Sequence, residues 1–105
     1  MNNIVEQEIL SSILQKPKLF NIAVSHIKAD DFQLPEYGSV FECMHELFLN
    51  GKPIDVVTLV HKLGNEYAAM LTETQFAAIT TANFKSYLKV LQELSSRRKT
   101  KELAH

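Results

Sequence analysis

The chain has little of the punctuation that breaks a protein into parts: three glycines and three prolines in 105 residues, one cysteine and no tryptophan. The lone Cys43 excludes an intramolecular disulfide and is too few for a structural zinc cluster. With no low-complexity tract and no fixed-period repeat, there is no internal linker and no solenoid, which leaves one domain with one core. The apolar runs are only a few residues long, far short of the roughly 20 that a spanning helix needs, so nothing is expected to cross a membrane. MNNIVEQEIL lacks the basic flank and apolar stretch of a signal peptide, which points to a cytoplasmic location. An excess of one charge is missing too. Eleven Lys and Arg against twelve Asp and Glu give a formal −1, no field for a polyanion over the whole surface.

Period-two alternation is absent, while helical spacing recurs from end to end. Asn3 and Glu6 match a capping box ahead of Ile9, Leu10, Ile13 and Leu14, predicting a helix to about residue 15. Pro17 suits the first position of a second, striped by Leu19, Phe20, Ala23 and Ile27. Pro35 opens a third, with Val40, Phe41, Met44, Leu47 and Phe48 on one face and Gly51 as its left-handed end. Asp55 is placed to cap VVTLVHKL, and Gly64 to stop it. Thr72 and Gln75 match another capping box before FAAI. Thr81 or Asn83 is placed to cap a last, long helix carrying Phe84, Tyr87, Leu88, Leu91 and Leu94. The expected fold is all-α, a compact orthogonal bundle of about six helices.

Few motifs offer chemistry. Gly51–Lys52 has the start of a phosphate loop, but Glu46 stands where its first glycine belongs and Pro53 removes an amide. Glu42 and His45 make one Glu-x-x-His where a di-metal bundle needs two, and His26, His61 and His105 add no zinc spacing. Beside Phe41, Met44 and Leu47, Cys43 reads as a buried, inert thiol. Asp30 and Asp31, adjacent in a turn, are expected to point apart and to cap a following turn. Arg97, Arg98, Lys99 and Lys101 are the residues that would meet a nucleic-acid backbone. A solvated helix end, favoured by the macrodipole, explains them without any ligand. No catalytic, cofactor-binding or metal-binding residue emerges.

The order of the motifs says more. Glu6 to Leu14, Asp31–Phe32, Val40–Phe41 with Met44 and Leu47, and then Gly51-x-Pro53-Ile54-Asp55-x-x-Thr58-Leu59 resemble the amino-terminal domain of DnaB-type replicative DNA helicases. ANFKSYLKVLQELSSRRK is similar to the segment that begins a helical hairpin in that family. The likeness spans nearly the whole chain, and the Gly51-to-Leu59 element is its specific part. Tyr37 stands where the family often has His, Ser11 replaces a usual glycine, and the stretch from Gly64 to Asn83 is shorter than usual.

That resemblance implies a globular head over residues 1–82 and the start of a hairpin arm over 83–105, cut before the motor. The arm would be an assembly helix through Phe84, Tyr87, Leu88, Leu91 and Leu94, anchored in its first half and free after Leu94. It further implies a parent that unwinds duplex DNA as a hexamer. ATP and magnesium would sit in the parent's motor, which would also make most of the contact with DNA, and this chain would hold no cofactor. The implied partners here are copies of itself in a collar of three dimers, primase and a helicase loader. Gly51, Pro53, Ile54, Asp55, Thr58 and Gly64 become a structural turn and cap. Two rivals remain open: the helicase-binding carboxy-terminal domain of a bacterial primase, and a small helical DNA-binding regulator. The regulator would need a basic recognition helix, and no segment before residue 84 is basic.

Overall fold

A computed structural model describes the chain from residue 3 to residue 103. Among the described residues there are six α-helices and no strand: α1 (Asn3–Gln15), α2 (Phe20–Ala23), α3 (Pro35–Leu49), α4 (Val56–Leu63), α5 (Ala68–Gln75) and α6 (Phe84–Leu103). Short 3-10 turns at Pro17–Leu19, Ala29–Asp31 and Asn65–Tyr67 lead into or link them. Pro17 therefore opens a 3-10 turn that widens into α2, and Ile27 is buried beyond that helix rather than on it.

Each helix buries the stripe its spacing provides. Ile9, Leu10 and Ile13 of α1 meet Phe20, then Val40, Phe41, Met44 and Leu47 of α3, Leu59 of α4 and Leu71 of α5 in a single core. Phe41 lies at the centre of an aromatic chain, 5.0 Å from Phe20 and 5.3 Å from Phe32 between ring centroids. Tilted rings at such distances add to what their burial contributes. Helix α3 runs directly against the turn at Ala29–Asp31. A side-chain carbon at Gly38 would stand 2.8 Å from the Ala29 carbonyl oxygen, so only glycine permits that approach.

The two capping boxes read from the sequence fare differently. The side chain of Asn3 lies outside the described residues, but Glu6 is engaged elsewhere: its carboxylate accepts from the amides of Gln33 at 2.7 Å and Leu34 at 3.3 Å. Thr72 and Gln75 open no helix. They belong to α5, which starts four residues earlier because AAMLTE is good helix-forming sequence, with Leu71 and Thr74 buried. FAAI is loop, since four residues ahead of two β-branched threonines are too few to propagate a helix.

That loop is held by α1. The Ser11 hydroxyl accepts from the Ala78 amide at 2.9 Å, and the Gln15 side-chain amide donates to the carbonyls of Ala78 (2.8 Å) and Gln75 (3.1 Å). A serine in place of glycine at position 11 thus gains a bond that glycine lacks. Ahead of α6, Asn83 supplies its carbonyl to Tyr87, and the Thr80 hydroxyl accepts from Ala82.

Candidate functional site

The turn from Gly51 to Asp55 is built from backbone hydrogen bonds. Gly51 has φ +65° with nothing within 4 Å of where a side chain would stand, so its conformation alone calls for glycine. Its amide donates to the Phe48 carbonyl at 3.2 Å and that of Lys52 to Leu47 at 2.9 Å, the paired bonds of a Schellman end. Ile54 is buried at 6 % exposure, pinning the connection to the core. Asp55 Oδ1 then accepts from the Thr58 amide at 2.8 Å, and α4 ends at Gly64 with φ 116°. These residues do not fit a nucleotide: the two amides after α3 are engaged, Pro53 has none, and a carboxylate already occupies the helix start.

Removing the cap has a defined expected cost. Asp55→Ala should lower stability by about 0.5–2 kcal/mol, and Asp55→Ser by much less, because the hydroxyl still accepts from Thr58. Urea denaturation of both variants measures this, and equal losses would count against the cap.

Cys43 lies 5 % exposed on α3. Burial first, and then the Glu46 carboxylate, push its thiol above the ordinary value, the reverse of what a nucleophile requires. His45 packs its ring 5.8 Å from that of Phe20, with Glu42 exposed one turn away. Among the described residues no three His, Cys, Asp or Glu side chains gather as a metal site would need; His105 lies outside them. Burial first, then the carboxylates of Glu6 and Glu73, raise the Tyr37 phenol.

Helix α6 corrects the expectation of a free second half. Phe84, Leu88 and Leu91 fill this chain's own core, while Tyr87 and Leu94 are half-buried. Past Leu94 the helix is still held, by polar contacts. Ser95 Oγ donates to Asp31 Oδ1 at 2.6 Å, Arg98 donates to the Asp31 carbonyl at 2.9 Å, and Lys99 Nζ lies 3.1 Å from Asp31 and 3.4 Å from Asp30. The two aspartates therefore converge on one lysine instead of pointing apart. Asp31 also accepts from the Lys28 amide at 2.8 Å, ahead of its own turn rather than after it. Burial pushes the Asp31 carboxyl up, but the bonds from Ser95 and Lys28 and the Lys99 ammonium outweigh it and leave the group below its ordinary value. Of the basic cluster, Arg98 and Lys99 are engaged internally, while Arg97 and Lys101 are exposed.

Two surface grooves are comparable in size. One, about 750 Å³, lies between the Ala29–Asp31 turn, α3 and α4, with Glu42, Glu46, Asp30 and Lys62 on its walls. The other, about 700 Å³, follows α6 past Gln33, Leu94, Arg97 and Lys101. Ser39 and Cys43 also line the first groove, but burial pushes the Cys43 thiol above its ordinary value, and Lys62 faces Glu46 at 3.8 Å. No helix among the described residues is long and apolar enough to cross a membrane.

Comparison with known proteins gives this architecture relatives. The replicative DNA helicase DnaC of Bacillus subtilis (strain 168) is 28 % identical over 97 residues, 86 % of this chain and 21 % of that protein. The replicative DNA helicase DnaB of Pasteurella multocida (strain Pm70) is 28 % identical over 95 residues, 84 % of this chain and 20 % of that protein. The chain spans about a fifth of the length of these curated relatives. Among solved structures, the N-terminal domain of the Mycobacterium tuberculosis DnaB helicase superposes with a TM-score of 0.86 at 23 % identity, covering 94 % of this chain and 77 % of that one. The N-terminal domain of the Helicobacter pylori DnaB helicase, described together with its interactions with primase, gives 0.87 at 25 % identity, covering 98 % and 85 %. The model of the DnaB-like helicase N terminal domain matches residues 1–93, from α1 into the first half of α6, and the chain belongs to that family.

Proposed function

We propose that this chain is the assembly and docking part of a hexameric replicative helicase that unwinds duplex DNA at the replication fork. It associates with copies of itself in a collar and receives primase or a helicase loader. ATP, magnesium and most of the contact with DNA belong to a motor elsewhere in the parent protein. The family match over residues 1–93 carries this reading. The Helicobacter pylori relative and its interactions with primase support the docking half, and the Gly51–Asp55 turn, whose Gly51 and Lys52 amides are taken by α3 carbonyls, supports a role without nucleotide.

The expected result is binding to the carboxy-terminal domain of primase from the same source. It should be weak for a single copy, because a ring presenting several sites gains from multivalency. ATP and magnesium should leave the melting temperature unchanged, since only a ligand that binds the native state raises it. Calorimetry with the primase domain tests the first, and failure of the intact parent to bind would refute docking. Thermal denaturation tests the second.

A further inference from the structure

The acids of this chain are unevenly answered. Between Lys28 and Lys52 there are five Asp and Glu and no Lys or Arg, and between Lys62 and Lys85 two Glu and again no Lys or Arg. Other elements reach some of them: Lys99 lies against Asp30 and Asp31, and Lys62 against Glu46. Among the described residues Glu36, Glu66 and Glu73 form no ion pair.

Two of these three border one cleft. About 340 Å³ in volume, it lies where the start of α3 meets the Asn65–Tyr67 turn and α5, and its lining is Leu34, Glu36, Tyr37, Glu66, Tyr67 and Met70. Glu36 and Glu66 are exposed, Tyr67 and Met70 half-buried, and Tyr37 is 9 % exposed, so carboxylates edge a cleft with aromatic and thioether walls. The Glu66 carboxylate folds back against Gly64, an approach that a side chain there would block. Glu73, one turn beyond Met70, adds its charge. Burial first, then the carboxylates of Glu6, Glu73 and Glu36, raise the Tyr37 phenol, which shows the negative potential at this wall. Glu6 is taken by the amides of Gln33 and Leu34 and already answers the positive end of α3. The helix end therefore does not account for Glu66, or for two tyrosines beside it.

We propose that this cleft receives the guanidinium of an arginine carried by a partner polypeptide. This deepens the docking reading above and rests on it. A guanidinium is planar and weakly hydrated, so it can lie against an aromatic ring while it donates two parallel bonds to a carboxylate; a lysine ammonium meets the same groups as a strongly hydrated point charge. A metal ion is the poorer occupant, because among the described residues no three His, Cys, Asp or Glu side chains gather. Nucleic acid would bring its phosphates to unpaired carboxylates. The volume is near the lower end of ligand clefts, about 300–1,000 Å³, and suits one long side chain.

The tripeptide acetyl-Gly-Arg-Gly-amide tests the site, beside its lysine and citrulline counterparts; citrulline has nearly the shape of arginine and no charge. Titrated into the isotope-labelled chain at low salt, the arginine peptide is expected to shift the NMR amide signals of Tyr37, Tyr67 and Met70 with a Kd on the order of 1 mM. The lysine peptide should bind about fivefold more weakly, and the citrulline peptide not measurably. Glu36→Gln and Glu66→Gln change exposed residues and should leave circular dichroism unaltered, while together they weaken the arginine peptide about tenfold. Tyr67→Leu should weaken it about two- to fivefold, and added salt should weaken it in every protein that binds it. Equal shifts with citrulline, or no localised shift at about 10 mM peptide, would leave solvated carboxylates only and overturn the site. Lysine binding as tightly as arginine would overturn the assignment to guanidinium. Shifts at the same amides that grow with protein concentration, without peptide, would give the cleft to a second copy and overturn the proposal. None of these arms contains primase or a loader, so failure here leaves docking standing, and docking fails separately in the calorimetry described above.

Discussion

Glu6→Ala is expected to destabilise the domain by about 2–4 kcal/mol, far more than a loss of surface charge. Glu6 is 1 % exposed, and its two carboxylate oxygens accept from the amides of Gln33 and Leu34, immediately before α3. Pro35 follows with no N–H, so these two amides are the donors at that corner. The carboxylate also sits at the positive end of the 15-residue α3. Alanine would leave both amides without a partner in a site too buried for free access of water, and would open a void beside Ile9 and Leu10. Glu6→Gln keeps one acceptor oxygen in place and should lose roughly half as much. Denaturant unfolding of the three proteins measures this, with a fall in melting temperature of about 10 °C or more expected for alanine. A loss below about 0.5 kcal/mol would mean that water replaces the carboxylate.

Glu6 also shows how far the sequence could be read. It stands three, four and seven residues before Ile9, Leu10 and Ile13, on the face that enters the core, and an acid at such a position must be paired. The periodicity carries that signal, yet the capping-box reading with Asn3 leaves Glu6 at the surface, and its burial is seen only in the structure. Its partners could not be read, because the amides of Gln33 and Leu34 are distant in sequence and carry no side-chain signature. Ser95 is the same case, four residues after Leu91 and seven after Leu88, in line with the buried stripe of α6. The turn at Gly51–Asp55 was legible because glycine and a capping carboxylate act within a few residues of themselves. Thr72–Gln75 misled for a related reason: a capping pattern constrains only one turn, and the helix around it is chosen by everything that Leu71 and Thr74 bury. The acidic groove was least legible, since Asp30, Glu42 and Lys62 come from three elements that only the fold brings together.

The second large effect lies in the carboxy-terminal half of α6. Asp31→Ala is expected to destabilise the domain by about 2–3 kcal/mol, and to speed amide exchange from Ser95 to Lys101 beyond what that loss of global stability alone produces. Asp31 is the shared acceptor for the Ser95 hydroxyl, the Lys28 amide and the Lys99 ammonium, and its own carbonyl holds Arg98. Ser95 is 2 % exposed, so its hydroxyl would be left buried without its acceptor. No large apolar side chain follows Leu94 among the residues up to Lys101, which leaves this polar cluster to hold the helix there. The pH dependence identifies the charge. Asp31 titrates below its ordinary 3.8 in the folded chain, so its contribution is complete above that value and disappears as the pH falls through the lower folded value. Lys99, raised above its ordinary 10.5 chiefly by its hydrogen bond to Asp31, contributes fully below that value and loses its share as the pH climbs through the higher one. The stability difference between the unaltered chain and Asp31→Asn should therefore be level from about pH 5 to pH 9 and shrink at both ends. Asparagine retains one oxygen for Ser95, so exchange in the last turns should be intermediate between the unaltered chain and alanine. A difference that stays constant into strong acid would show that the carboxylate charge is not what fastens α6 to the turn at Ala29–Asp31.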